Sequence, residues 1–243
     1  MRTRTIARSA RRVSGAIGGV AAAIYVASFV RSWARYGRVG RTAQQSDDLL
    51  DRFLPAYDVI ERHQIRVRAP AAITLAAARE QDLAASPAIR AIFRARELLL
   101  GAAPDERFQP RGLIRQVQSL GWLVLAERTD REIVMGAVTR PWEPNVTFRG
   151  VSPEEFAAFD EPDYVKIVWN LRADPLGACE SMFRTETRAT ATDAAARAKF
   201  RWYWSFFSSG IQLIRWLSLN PLKRDGEARV AAHEMTNPAP TPS

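Results

Sequence analysis

Behind residue 56 the chain alternates between two periodicities, one of strands and one of helices. Residues 63–69 set Ile65, Val67 and Ala69 against Gln64, Arg66 and Arg68, the period of two expected of a half-buried strand. Residues 122–128 and 132–140 flank the short connection Thr129–Asp130–Arg131, which predicts a hairpin. Residues 145–149 add a short strand. Residues 164–173 alternate Val165, Ile167, Trp169 and Leu171 against Lys166, Asn170 and Arg172, and a Thr-rich run, 180–192, follows a turn at 174–177.

Helix starts are punctuated as clearly. Ser86–Pro87 and Ser152–Pro153 each put a capping serine before a proline at the first helical position, and Glu155 completes a capping box with Ser152. Pro70 opens a second Ala-rich helix, and residues 111–120 form a further short one. Asp193 caps a long C-terminal helix in which Phe200, Trp204, Phe207, Ile211 and Ile214 share one face. Arg201, Ser205, Ser208, Gln212 and Arg215 are assigned to the opposite face. Consecutive strands beside segregated helices predict an α+β fold, in which a curved antiparallel sheet grips the long C-terminal helix.

Charge changes the picture at the N-terminus. Residues 1–41 hold nine arginines and no acidic residue, and within them residues 13–30 carry no charge. The 26 basic side chains that remain balance the 26 acidic ones, so the net charge of +9 belongs to this segment. Nucleic-acid binding is therefore not expected of the domain. These eighteen uncharged residues span about 27 Å at about 1.5 Å per residue, near the thickness of a hydrocarbon core. A single-pass transmembrane helix is the preferred reading, with a cleaved signal peptide and an interfacial amphipathic helix as alternatives. Five arginines before the segment and four after it leave its orientation undetermined. Gly15, Gly19, Ala23 and Ala27 form a ladder of small residues able to pair two copies of the helix as a homodimer. The organisation expected is a basic segment over 1–41, a linker with a short helix over 42–56, the domain over 57–222, and a disordered tail over 223–243.

Catalytic signatures are scarce. A lone Cys179 excludes an internal disulfide and a Cys-rich zinc site, and reads as a small buried hydrophobe. His63 and His233 have no partner at ligand spacing, so no metal and no cofactor is expected. Glu132, Arg140, Asn170, Arg172, Glu186 and Arg188 alternate with the apolar strand residues and are expected as solvated ion pairs.

The order of elements, the opening IRVRAPAAITLAAAREQDL and the junction TETRATATDAAARAKFRWYW resemble the START-like, or helix-grip, superfamily (the SRPBCC group), with its polyketide cyclase/dehydrase and lipid-transfer branches. The resemblance runs from Tyr57 to Leu222, and departs from the usual pattern at residues 102–115, where an early hairpin would stand. It implies a hollow between sheet and helix that accepts a hydrophobic small molecule or lipid. With apolar strand faces turned inward, Ile133, Met135, Val165, Ile167, Trp169 and Phe183 would line it, and Trp204, Phe207 and Ile211 would oppose them from the helix. Three functions are then expected to compete: a membrane-anchored binding domain, preferred; a cyclase- or hydrolase-like enzyme on the same fold; and an assembly protein whose Trp202, Phe206 and Trp216 form an exposed patch.

Overall fold

The strands alternate as their sequences require, and pairing turns them into one sheet. The structure, a computed structural model, describes residues 23–38, 47–102 and 111–236. Within them lie α1 (23–35), α2 (Asp48–Phe53), β1 (Val59–Val67), α3 (Ala71–Glu80), α4 (Pro87–Leu100), α5 (Leu113–Ser119), β2 (Leu123–Arg128), β3 (Glu132–Thr139), β4 (Phe148–Arg149), α6 (Pro153–Phe156), β5 (Val165–Gly177), β6 (Glu180–Ala191) and α7 (Ala194–Thr236). Every pairing is antiparallel, in the order β1-β6-β5-β3-β2 with β4 on β3. One row of the register runs Met135–Trp169–Thr187–Glu61 across four strands.

Local chemistry sets the connections. Asp130 turns the β2–β3 hairpin at φ 56, a left-handed conformation that Asp tolerates. Gly121 enters β2 at φ +103, and a Cβ there would lie 2.1 Å from the Phe148 carbonyl oxygen. Ser86 caps α4 by accepting from the Ile89 amide, and Asp193 caps α7 through the Ala196 amide. Ser152 donates instead to the Glu155 carboxylate, so the predicted capping box is replaced by a direct side-chain bond. Cys179 is exposed in the β5–β6 turn rather than buried.

Three apolar clusters hold the layers. On the concave face, Ile133, Met135, Trp169, Leu171 and Phe183 pack with α3, α5 and the α7 residues Leu219 and Leu222. At one end, Val59, Val165 and Ala189 meet Phe200, Trp204 and Tyr36. The convex face is covered as well: Leu50, Phe53 and Leu54 of the α2 segment and Phe156 of α6 pack on Val134, Val138 and Val168. Burial on both faces explains why all eight residues of β3 are inaccessible.

Two expectations at the termini are corrected. Among the described residues no helix is long and apolar enough to cross a membrane. Residues 13–22, with Gly15 and Gly19, lie outside the described residues. What is described of the apolar segment, α1, packs along α7: Tyr25 donates to the Phe206 carbonyl, Ser32 and Ser208 share a hydrogen bond, and Phe29 meets Trp33 and Trp202. Tyr25 and Phe29 thus meet the aromatic side of α7, while Ile24, Val26 and Val30 stay exposed. The predicted tail is helical over 223–236, because α7 continues through Pro221 to Thr236; residues 237–243 lie outside the described residues. Gly226 brings it against Val67 and Ala77, Arg229 bonds Glu80, and Glu227 accepts from the Arg68 amide.

Candidate functional site

Along four elements the same order of burial repeats. On β1 it runs from buried Val59 through partly accessible Glu61, His63 and Ile65 to buried Val67. On β5 the partly accessible residue between Val165 and Trp169 is Ile167, and on β6 the one between Phe183 and Ala189 is Thr187. On α7, Phe207, Ile211, Gln212 and Arg215 lie between Trp204 and Leu219. These intermediate positions form a partly accessible strip between the concave face and α7, hereafter the cleft, flanked by the two packed clusters.

The cleft has a polar wall. Arg215 donates to the hydroxyl of Thr185 at 2.9 Å and to that of Thr187 at 2.7 Å, and its guanidinium lies 5.4 Å from the Trp169 ring centroid. Gln212 donates to Glu61 at 2.6 Å. The other Glu61 oxygen is 3.9 Å from His63 Nε2, which is buried and has no hydrogen-bond partner. Burial pulls Arg215 down to about 10, far below the ordinary range of an arginine, with Glu61 opposing the shift. Burial also raises the Glu61 carboxyl, against Gln212 and Arg215, while burial and then the Arg215 charge lower His63. Protein surrounds the guanidinium, while Arg215 as a whole residue is only partly buried.

The residues predicted to line the hollow do lie between sheet and helix, but they do not form one accessible surface. Ile133, Met135, Trp169 and Phe183 are packed into the large concave cluster, and Val165 and Trp204 into the cluster at the end. Ile167, Phe207 and Ile211 alone among the nine retain partial access. Glu61, His63, Thr185, Thr187, Gln212 and Arg215 were not predicted. A signal existed: Glu61 and His63 share the phase of Ile65 and Val67. On α7, Ser208, Gln212, Arg215, Leu219 and Leu222 form one helical stripe, so part of the side assigned opposite the apolar face lies against β1, β6 and α1.

The six polar residues expected on the solvent face need a different correction. They do point away from the cleft, but four of them are buried under the α2 segment. Glu132 and Arg188 are each 1% exposed, and Asn170 and Glu186 are buried with them. Asn170 donates to Glu132 at 2.7 Å and to Asp47 at 3.0 Å, and accepts from the Glu186 amide. Arg188 bonds Glu186 and Asp51, both at 2.6 Å, and Arg172 holds Asp47. Arg140 and Arg172 are partly exposed, Arg140 over the Tyr164 ring. Burial and then the negative Asp47 push Glu132 up to about 7.

A third feature lies outside the grip. Phe29, Val30, Trp33 and Trp202 line a surface pocket of about 300 Å³ between α1 and α7. Trp202 and Trp216 are 57% and 60% exposed, whereas Phe206 is half-buried against Tyr25 and Trp202. Among the described residues no three potential metal ligands converge.

No family model matches the chain, and neither does any curated protein. A solved structure, the Zhui aromatase/cyclase from Streptomyces sp. R1128, is similar over 72% of this chain and 97% of that one, with 13% identity and a TM-score of 0.30. The likeness is distant, and what the cleft can do follows from its own residues.

Proposed function

We propose that this chain binds a small, mostly apolar molecule in the cleft between the concave face of its sheet and α7. One observation carries the reading. Ile167, Phe207 and Ile211 keep access to solvent between two clusters in which neighbouring side chains on the same elements have almost none. Apolar walls with a few placed polar groups are the usual form of a small-molecule site. The balanced charge of residues 42–243 fits an apolar ligand better than a polyanion. The test is organic extraction of the protein, purified without detergent, followed by mass spectrometry. A stoichiometric apolar molecule supports the reading, and extracts indistinguishable from those of an unrelated control protein count against it.

A second reading, an enzyme on the same scaffold, has its own support. Two titratable groups of altered proton affinity, Glu61 and His63, face the cleft beside Arg215. Glu132, Asn170 and Glu186, on the far side of the sheet, are unsuited to that role. Incubating the extracted molecule with fresh protein separates the two readings. A binding protein leaves its mass unchanged, and an enzyme converts it in a reaction that Glu61→Gln slows.

A further inference from the structure

Arg215 differs from the arginines on the other side of the sheet. Arg62, Arg172 and Arg188 each hold a carboxylate within 3.1 Å. Among the described residues Arg215 holds none within 4 Å; its hydrogen bonds go to two threonine hydroxyls and its face to Trp169. A guanidinium has five N–H donors, and Arg215 uses one on each terminal nitrogen here. Withdrawing such a cation from water is costly unless an anion or further acceptors complete its shell. The nearest negative group that influences it is Glu61, whose carboxylate is already held by Gln212. His63 Nε2 adds a polar atom without a partner on the same wall.

We propose that the molecule held in this cleft is an amphiphilic monoanion, whose anionic oxygens dock on the free donors of Arg215 while its apolar body lies along Ile167, Phe207 and Ile211. The inference rests on the cleft reading above. A planar guanidinium fixed by Thr185, Thr187 and Trp169 suits the fork of a carboxylate or a similar singly charged oxyanion. Glu61 sets a limit on the charge. Its carboxylate, held by Gln212, repels a second negative charge beside Arg215, so one negative charge is accommodated more readily than two.

The test uses a matched pair of probes, 2-naphthoate and its neutral amide, titrated into the full chain by isothermal calorimetry. Wild type is expected to bind both, the carboxylate more tightly. Arg215→Met is expected to weaken naphthoate by about tenfold or more and to leave the amide within about twofold; Arg215→Lys should restore part of the loss. Glu61→Gln, close in shape and independent of the folding of the arginine variants, is expected to tighten naphthoate severalfold without moving the amide. Naphthoate binding that ignores both Arg215→Met and Glu61→Gln overturns the monoanion inference, and amide binding in that case leaves the apolar cleft standing. If neither probe binds wild type, the cleft reading fails and this inference with it.

Discussion

Replacing Glu132 by glutamine should stabilise the protein at pH 8 and do little at pH 5. Glu132 is almost fully buried between β3 and the α2 segment, accepts from Asn170, and faces Asp47. Its second oxygen is buried without a hydrogen-bond partner, and the closest cation to it, Arg128, stands 3.9 Å away. Burial and the Asp47 charge raise its carboxyl from the ordinary 4.5 to about 7. The folded state therefore holds a proton that the unfolded state has released between these two values. That stability is fully present below about pH 4.5 and is lost as pH rises through 7. A shift of this size corresponds to roughly 3 kcal/mol, since one pH unit is about 1.4 kcal/mol. The amide of Glu132→Gln keeps an acceptor for Asn170 and offers Asp47 a donor, so it mimics the protonated carboxyl without titrating. Urea unfolding of both proteins from pH 5 to pH 8 reads the difference directly, because titrations elsewhere cancel. The variant should gain about 2–3 kcal/mol on wild type across that range. A difference that stays constant with pH, or that turns against the variant at pH 8, refutes the assignment and would mean that Arg128 stabilises an ionised Glu132.

Two further outcomes follow from packing. Arg188→Met removes the cation shared by Glu186 and Asp51 and should cost about 3–5 kcal/mol in urea unfolding, as the loss of one buried ionic partner does; a cost below about 1 kcal/mol would show that the network is hydrated. Gly121→Ala forces a Cβ to within 2.1 Å of the Phe148 carbonyl at φ +103 and should cost about 1–3 kcal/mol, seen as a lower Tm; an unchanged Tm would contradict the tight β2–β4 approach.

The strands, the long helix and the inward set of apolar residues were legible because periods of 2 and 3.6 are local properties. What was not legible depends on segments distant in sequence. Asn170 and Glu132 look like surface residues until α2 folds over them, and Asp47, which bonds Asn170, lies 123 residues away. The apolar stretch after the N-terminal arginines resembles a membrane segment because aromatic and aliphatic side chains suit lipid and protein equally. In α1 the aromatic ones, Tyr25 and Phe29, meet Phe206 and Trp202 of α7. The polar residues of α7 were set apart from the sheet because its aromatic side packs against α1 and α4 as well as the sheet. That assignment hid Gln212 and Arg215, whose contacts lie on β1 and β6. The last turns of α7 are held by Val230 on the concave cluster, by Gly226 against Val67 and by Arg229 on Glu80.

The cleft itself is tested most directly by filling it. Ile211→Trp adds an indole where Ile211, packed with Ile167 against the end cluster, is only partly buried, and Ile211 does not line the pocket around Phe29 and Trp202. Wild type purified without detergent should yield one apolar molecule per chain on extraction and mass spectrometry, and Ile211→Trp, with an unchanged circular dichroism spectrum, should yield almost none. The same molecule recovered in equal amount from both proteins would place its site outside the grip, and none from either would leave the cleft without a ligand.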